Sequence, residues 1–322
     1  MGQPRIGAII LAAGKGTRLK SELPKVLHPI LGRPMLAYVF DACREAGVEA
    51  LIGVVGHGRD QVVDAFSDAT DVQWVDQTEQ LGTGHAAMVC RDAFKDRFDH
   101  VFVLCGDGPL IRAETLATVL KRHLSEGMAG TLATAELEDA TGYGRITRDA
   151  KGALTGIVEH RDCTPAQLKI REVNPSYYCF SVPEFLVALG QLKPNNVKNE
   201  YYITDCIGLM LGAGHKVDAI TAVPPDDIYS INSRRDLALV NRVMRDRINA
   251  RWMDNGVTIV DPQTTWIDAR ATIGVDTVIE PFSVIMGAAR IGRECHIGPF
   301  ARLDGDEIAD GSRVVGAAGA LA

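Results

Sequence analysis

The C-terminal part of the sequence repeats with a period of six residues. The aliphatic side chains stand six positions apart without a break, at Ile267, Ile273, Ile279, Ile285, Ile291, Ile297 and Leu303. Ordinary paired strands would alternate at period two, which this stretch does not do. A six-residue repeat is typical of a β-helix, in which each hexad forms one face of a triangular coil and its aliphatic residue points inward. At roughly 18 residues per turn, we expect about two or three coils after Gly256.

The first half of the chain has a different pattern, in which short apolar runs alternate with amphipathic stretches. The spacing predicts strands at residues 5–11, 51–56, 72–75 and 100–105, and helices at 35–46, 59–66 and 112–125. This alternation predicts a doubly wound, Rossmann-like α/β sheet. Ligands of such sheets bind at the carboxyl ends of the strands. The loops after Leu11 and Val75, and Asp107 after the fourth strand, all follow such ends.

From residue 130 onward the pattern is richer in strands. We expect strands at 131–137, 144–147, 154–158 and 172–181, and helices at 203–213 and 233–252. The chain is therefore predicted to contain an α/β domain at 1–232, a linking helix at 233–256 and a short β-helix at 257–322. A chain of 322 residues is long enough for this organisation.

Composition limits the possible partners and the compartment. The net charge of −7 argues against a general nucleic-acid or membrane-surface binder, so any anion site must be built locally. The seven cysteines are scattered and form no CxxC pair, which predicts a reducing compartment and no zinc cluster. No apolar run has the length of a membrane span, and no secretory leader is recognisable. We therefore expect a cytoplasmic protein.

The loop after the first strand combines small residues with cations. Gly14 and Gly16 allow close backbone approach to a ligand, while Lys15, Arg18 and Lys25 supply positive charge. The loop matches neither GxGxxG, since Leu19 stands where the third glycine belongs, nor the P-loop pattern. By itself it indicates either a polyanion site or a tight turn.

Seven motifs in a fixed order extend this signal. They are LAAGKGTRL with LPKVL (11–27), EQLGTGHA (79–86), GD with PLI (106–111), TGYGRI (141–146), GIVEH (156–160), NEYYITD (199–205) and INSR (231–234). From about residue 5 to 303 the chain resembles the uridylyltransferase part of the bacterial bifunctional N-acetylglucosamine-1-phosphate uridylyltransferase/glucosamine-1-phosphate acetyltransferase family. The resemblance implies a nucleotidyltransferase domain followed by a left-handed β-helix, which assembles as a homotrimer in that family.

The resemblance also assigns residues to roles. It implies that the nucleotide is bound by Leu11, Ala12, Ala13, Gly14, Gln77, Gln80, Gly82 and Thr83. It implies that the sugar is bound by Gly144, Glu159, Asn174 and Thr204. Mg²⁺ would be held by Asp107 and Asn232 together with phosphate oxygens, which suits a cation that prefers oxygen ligands. A glutamine amide offers a donor and an acceptor, as recognition of a uracil edge requires.

The implied reaction is direct displacement at the α-phosphorus of UTP by N-acetylglucosamine 1-phosphate, which gives UDP-N-acetylglucosamine, a cell wall precursor, and pyrophosphate. Arg18 and Lys25 would be the catalytic residues that stabilise the triphosphate and the leaving group. No protein nucleophile is required. Without the resemblance, a polar surface loop around Gln77 and ordinary core tyrosines at 201–202 would be the simpler interpretation.

The sequence departs from the family pattern on the metal and sugar side. Cys105 replaces an aromatic residue, Gly108 a β-branched one, and Pro175-Ser176 the usual Thr-Gly. After Leu303 the family's basic catalytic stretch is replaced by the acidic Asp304–Ile308, and the sequence stops at Ala322. We therefore expect no acetyltransferase activity.

Other functions stay open at this point. The chain could be a pyrophosphorylase for another sugar 1-phosphate or for dTTP, or a non-catalytic UDP-sugar-binding regulatory protein. The retention of Arg18, Lys25, Asp107 and Asn232 argues against the regulatory alternative. An acyltransferase built on the short β-helix is the weakest of these interpretations.

Overall fold

The computed structural model describes residues 2–196 and 198–316. The chain divides into two compact units: the first contains the chain up to Leu27 and Met35–Ser230, and the second contains His28–Pro34 and the chain from Ile231. The predicted boundaries at residues 232 and 256 stay a prediction, and residues 317–322 of the predicted β-helix domain lie outside the described residues. None of the described helices combines the length and apolar character that crossing a membrane requires.

The elements follow one another along the chain as short strands and helices. The strands before residue 230 are β1 (Ile6–Leu11), β2 (Pro29–Ile30), β3 (Arg33–Pro34), β4 (Ala50–Val55), β5 (Val72–Asp76), β6 (His100–Cys105), β7 (Gly130–Glu136), β8 (Gly144–Arg148), β9 (Leu154–Val158), β10 (Glu172–Ser181) and β11 (Val217–Thr221). The helices are α1 (Met35–Glu45), α2 (Arg59–Ala65), α3 (Thr83–Val89), α4 (Arg91–Phe94), α5 (Ala113–Glu126), α6 (Val182–Gln191), α7 (Asp205–Gly212) and α8 (Arg234–Asp254). The remaining strands are β12 (Thr258–Ile259), β13 (Trp266–Ile267), β14 (Thr272–Ile273), β15 (Val278–Ile279), β16 (Val284–Met286), β17 (Arg290–Ile291), β18 (His296–Ile297), β19 (Arg302–Asp304), β20 (Glu307–Ile308) and β21 (Arg313–Val314).

The first unit is built on one mixed sheet with the strand order β11-β7-β10-β6-β1-β4-β5. Strands β6, β1, β4 and β5 are mutually parallel, whereas β10 runs antiparallel to both β6 and β7. The hairpin β8–β9 joins the sheet through β10. This arrangement confirms the predicted doubly wound sheet with a strand-rich second half.

Apolar patterning explains why these segments form the layers. Strand β1 is buried over nearly its whole length, as expected for a parallel strand that is covered on both faces. Helix α1 buries Met35, Leu36, Val39 and Phe40 at helical spacing and ends before Gly47, whose φ of 83° suits a residue without a side chain. Several elements were not expected from the sequence, namely the hairpin β2–β3, helices α4 and α6, and strand β11.

In the second unit the hexad residues stack in three parallel ladders. The order is β12-β15-β18-β21 on one face, β13-β16-β19 on the next and β14-β17-β20 on the third. Ile267 pairs with Ile285 and Ile285 with Leu303, so each step is one turn of 18 residues. On the other faces the last step is one residue shorter, since Ile291 pairs with Ile308 and Ile297 with Val314. The predicted hexapeptide coil is confirmed, and its left-handedness stays a prediction.

Helix α8 and the hairpin β2–β3 belong to this second unit. Ser233 caps α8 in a reciprocal capping box with Asp236, which is a strong helix start. The side chain of Asn249 on α8 donates to the carbonyls of Pro262 and Thr265, and thereby holds the first turn of the coil. The backbone N–H of Leu31, in the turn of the hairpin, donates to Asn241 Oδ1 on the same helix.

Candidate active site

The parallel strands of the first unit bring their following loops to one edge of the sheet. Leu11 lies between Cys105 on β6 and Val54 on β4, and Val55 pairs with Asp76 on β5. A cavity of about 420 Å³ lies at this edge, within the size range of small-molecule sites. It is lined by Leu11, Ala12, Ala13, Gly14, Lys25, Val26, Gln77, Gln80, Gly82, Thr83, Ala86, Cys105, Asp107, Glu159, Ser176, Lys198, Glu200, Tyr202, Ile203 and Thr204. All eight predicted nucleotide-binding residues are therefore in its wall.

The loop after β1 carries the predicted cations. Gly16 has a φ of 60°, and a Cβ at this position would lie 2.8 Å from Cβ of Lys25, so only glycine lets the lysine stem pass so close. Lys25 lines the cavity, and 11% of its side chain is exposed. Arg18 lies on an exposed turn, Thr17–Leu19, and is not one of the lining residues.

An ion pair joins this loop to the end of β6. Lys25 Nζ lies 2.5 Å from Asp107 Oδ2, with 23% of the aspartate side chain exposed. Gly106, between β6 and the aspartate, donates its backbone N–H to Leu11 O at 3.0 Å. The predicted catalytic lysine and the predicted metal-ligating aspartate are thus brought together in the cavity wall.

The residues predicted to bind the base form a tightly bonded loop after β5. The backbone N–H of Gln77 donates to Val55 O at 2.7 Å, and Gln80 Nε2 donates to Gln77 O at 3.0 Å. Gln77 is only 3% exposed, so its amide is held inside the protein rather than on a surface loop. The surface-loop interpretation is therefore wrong for Gln77, whereas Gln80 lies on an exposed part of the loop.

A second segment closes this loop from the other side. Tyr201 N donates to Leu81 O at 2.8 Å, Gly84 N donates to Tyr201 O at 2.7 Å, and Ile203 N donates to Thr83 Oγ1 at 3.0 Å. At Gly82, where φ is 109°, a Cβ would lie 2.5 Å from Tyr201 O, so a side chain would force the two segments apart. The base-side loop and the segment after residue 199 are thus one connected wall.

Two of the predicted sugar-binding residues line the cavity together. Thr204 Oγ1 donates to Glu159 Oε1 at 3.5 Å. Burial raises the pKa of the Glu159 carboxyl, and the nearby charge of Asp162 adds to the rise. Gly144 is not a lining residue, but a Cβ there would lie 3.7 Å from both carboxyl oxygens of Glu159. The carboxyl group is therefore in a confined setting suited to hydroxyl recognition.

Two other predicted residues are placed differently. Asn174 is buried on β10, where its Nδ2 donates to Tyr178 OH at 2.6 Å and its Oδ1 accepts from Ser176 N at 3.0 Å. Ser176, rather than Asn174, lines the cavity. Asn232 belongs to the second unit, where its backbone N–H donates to Asp236 Oδ2 at 3.0 Å just before α8. The roles predicted for Asn174 and Asn232 stay predictions.

The motif NEYYITD and Lys198 just before it contribute lining residues that the sequence did not single out. Lys198, Glu200 and Ile203 were not predicted as site residues, whereas Tyr202 was considered as a sugar wall. The signal that could have found Glu200 and Ile203 is the density of polar and aromatic residues in NEYYITD itself. Cys105 also lines the cavity, and burial raises its pKa to about 12, so it is present as the poorly nucleophilic thiol.

The Mg²⁺ that the family resemblance implies requires oxygen ligands beside the cavity. Among residues 2–196 and 198–316 there is no group of three or more histidine, cysteine, aspartate or glutamate side chains suited to a metal. Asp107 offers hard carboxylate oxygens beside the cavity, already paired with a cationic group. Mg²⁺ is commonly bound by one or two carboxylates together with water and substrate phosphates, so this residue fits that ion.

Comparison with known proteins agrees with the motif order. Residues 8–168 match the family model of the MobA-like NTP transferase domain, and residues 265–305 match the bacterial transferase hexapeptide model with six repeats. A solved structure of UDP-glucose pyrophosphorylase complexed with UDP-glucose superposes with a TM-score of 0.62 over 78% of this chain and 99% of that one. Its sequence identity of 19% means that this likeness shows the fold alone.

The curated relatives are more similar in sequence. The bifunctional protein GlmU of Heliobacterium modesticaldum is 43% identical to this chain, and that of Geobacillus thermodenitrificans is 45% identical. Each match covers 92% of this chain and 64% of the relative. The GlmU protein of Halalkalibacterium halodurans is 42% identical over 95% of this chain and 67% of its own length. This chain thus spans about two thirds of these relatives, and it belongs to the GlmU family, with a MobA-like NTP transferase domain followed by hexapeptide repeats.

Proposed function

We propose that this chain transfers a uridylyl group from UTP to N-acetylglucosamine 1-phosphate and releases pyrophosphate. The observation that carries the proposal is the Lys25–Asp107 pair, which lies in the same cavity wall as Gln77, Gln80 and Glu159. A lysine and a metal-ligating carboxylate suit phosphates, two glutamine amides suit a pyrimidine edge, and a confined carboxyl suits sugar hydroxyls. Membership of the GlmU family supports the same assignment.

The reaction is a single displacement. A phosphate oxygen of the sugar 1-phosphate forms a bond to the α-phosphorus of UTP, and the bond from that phosphorus to the oxygen bridging to the β-phosphorus breaks. The leaving pyrophosphate takes the bonding electron pair. Catalysis then consists of positioning and charge neutralisation, which are the main contributions in phosphoryl-type transfer.

The chain's own residues divide this work. Lys25 neutralises charge on the triphosphate and on the departing pyrophosphate, and Arg18 adds a second positive charge to the same loop. Asp107 would hold Mg²⁺, which when bound supplies further neutralisation of phosphate charge. Gln77 and Gln80 bind the uracil, and Glu159 with Thr204 orients the sugar. Because Cys105 is a neutral thiol, the cavity wall offers no activated cysteine for a covalent step.

A substrate panel tests the proposal. Pyrophosphate release is measured with UTP, dTTP, CTP and ATP, each combined with N-acetylglucosamine 1-phosphate, glucosamine 1-phosphate or glucose 1-phosphate, with and without Mg²⁺. We expect turnover that depends on Mg²⁺ and prefers UTP with N-acetylglucosamine 1-phosphate. Strict preference for another sugar would overturn the acceptor assignment. UDP-sugar binding without any turnover would indicate a regulatory protein instead.

The hexapeptide coil supports a further assignment, a homotrimer formed through the second unit. Repeats of this kind give flat parallel faces, and Phe282 and Phe300 form an exposed stacked pair on the coil, with ring centroids 5.1 Å apart. Sedimentation equilibrium measures the mass directly. Three times the chain mass of 34.7 kDa is expected, and a monomer at all concentrations would contradict the assignment.

A further inference from the structure

The side-chain amide of Gln77 has both of its N–H groups engaged by the protein. Its Nε2 donates to Gly82 O at 3.1 Å and lies 3.1 Å from His85 Nδ1. An amide nitrogen carries two hydrogens, and these two contacts account for both. Among the described residues, none donates a hydrogen bond to its Oε1, and Gln77 is one of the residues that line the cavity.

The carbonyl of Gly82 decides which end of the amide faces it. A carbonyl oxygen only accepts, so the nitrogen of Gln77, and not its oxygen, must point at Gly82. This carbonyl is itself held by α3, since Ala86 N donates to it at 3.1 Å in the first turn of the helix. A flipped amide would set Oε1 against Gly82 O, and two acceptors would then oppose each other.

The same geometry determines the role of His85. Because Gln77 Nε2 carries hydrogens, His85 Nδ1 must accept, and the ring proton of the neutral imidazole therefore lies on Nε2. His85 is the third residue of α3, and its ring lies 6.4 Å from that of Tyr201. It is not among the residues that line the cavity. Its polar contact on the cavity side is with Gln77, so it can act on a bound base only as a positioning residue.

We infer that His85 and the Gly82 carbonyl lock the Gln77 amide so that Oε1 alone faces the base, and that this lock makes the site select uracil over cytosine. Uracil has a donor at N3 that Oε1 can accept, whereas N3 of cytosine carries a lone pair that would oppose it. The inference rests on the proposed function, because it takes UTP as the nucleotide. It adds a residue behind the base-binding glutamine that sets which pyrimidine is read.

Replacing His85, whose Nδ1 is the acceptor, should loosen the orientation of the Gln77 amide while the glutamine itself is kept. In His85→Phe the ring volume is retained, but one buried N–H of Gln77 loses its partner, so rotation of the amide becomes less costly. We expect the ratio of kcat/KM for UTP to that for CTP to fall roughly tenfold. In His85→Asn the side-chain oxygen can accept at the position of Nδ1, and most of the ratio should return.

The kinetic experiment measures kcat/KM for UTP and CTP, with N-acetylglucosamine 1-phosphate, in the wild type, His85→Phe and His85→Asn. A lower ratio in the phenylalanine variant with rescue by asparagine supports the inference. An unchanged ratio, an equal loss for both nucleotides, or no rescue overturns it. If the wild type itself shows no preference for UTP, the proposed function has failed, which is a separate and distinguishable result.

A spectroscopic measurement keeps the inference testable if the variants do not fold. In the ¹⁵N-histidine-labelled wild-type protein, the ring nitrogen shifts of His85 report its tautomer. We expect an unprotonated, pyridine-type Nδ1 and a protonated Nε2. A proton on Nδ1 would overturn the inference, because that nitrogen could then no longer accept from Gln77.

Discussion

The two ends of strand β6 carry polar groups that serve different purposes. At the amino end, His100 Nδ1 lies 3.0 Å from His123 Nε2, and His123 Nδ1 lies 3.0 Å from Thr131 Oγ1. At the carboxyl end, the strand leads through Cys105 into Asp107, which pairs with Lys25 in the cavity wall. One end is a chain of hydrogen bonds that runs from the partly buried His100 to the buried His123 and Thr131, and the other is an ion pair beside the cavity.

The difference shows what separates a structural polar group from a functional one in this sheet. His123 is fully buried, and its ring nitrogens find partners on β6 and β7, so it has nothing left to offer a ligand. Lys25 and Asp107 are partly exposed in a cavity of about 420 Å³. The lysine can therefore pair with a polyanion, and the aspartate can bind a cation. Substitutions at the two ends should therefore separate loss of activity from loss of stability.

The largest effect is expected for Lys25→Ala. Loss of this charge should lower kcat by about 10³-fold, as removal of a preorganised electrostatic contact commonly does. The fold should persist, because the lysine supports a cavity wall rather than a packed core. Steady-state kinetics and a thermal melt check both points, with Lys121→Ala on the exposed face of α5 as the control. A Lys25→Ala enzyme with near wild-type turnover would show that the lysine is not catalytic.

A smaller effect is expected for Asp107→Asn, which keeps the side-chain size and removes the charge. We expect kcat/KM to fall about 10²-fold, and the Mg²⁺ concentration for half-maximal rate to rise, because an amide is a weaker ligand for a hard cation. A Mg²⁺ titration of the rate measures this, with the exposed Asp96→Asn as the matched control. An unchanged Mg²⁺ requirement would argue that Asp107 does not hold the metal.

At the amino end of β6 the prediction concerns how the free energy of unfolding depends on pH. Burial, with a further contribution from the charge of His100, lowers the pKa of His123 from 6.5 to about 4, and burial also lowers the pKa of His100. The unfolded chain therefore binds more protons between these values. The stabilisation is present above pH 6.5 and is lost as the pH falls towards 4. For His123 the loss amounts to about 3 kcal/mol of unfolding free energy.

Denaturant unfolding at pH 7 and pH 4 measures this loss, and comparison with His123→Gln removes the contribution of titrating carboxylates elsewhere. The wild type should lose more stability on acidification than the variant, while the variant keeps its turnover at pH 7. Equal pH dependence of the two proteins would show that His123 is not held neutral by its surroundings.

The sequence predicted those parts of the structure that a single repeating residue pattern specifies. The hexads Ile267 to Leu303 were sufficient for the coil, because each aliphatic side chain packs on its counterpart one turn away. The shorter last step to Ile308 and Val314 was not expected, since it interrupts the period. Helix α6 was also not expected, although Pro183 in its first turn is a typical start signal.

The lining residues that the sequence predicted are mostly those that lie close to the end of a strand. Gly14 and Gln77 each follow a strand end closely, so strand order alone brings them to one edge. Lys25 lies further from the end of β1 and is placed by its contacts with Gly16 and Asp107. Ser176 was not predicted, because the register of β10 shifts between Val173 and Tyr177 and exchanges it with Asn174 at the cavity. His85 acts through a contact with Gln77 that no spacing rule distinguishes from an ordinary helix residue.

The proposed reaction is one direct displacement at the α-phosphorus of UTP, and its stereochemistry can be measured. A single diastereomer of UTP with sulfur at that phosphorus is converted with N-acetylglucosamine 1-phosphate, and the configuration of the product is determined by ³¹P NMR. One displacement with no uridylyl-enzyme predicts inversion. Retention would mean two successive displacements through a protein nucleophile and would contradict direct displacement.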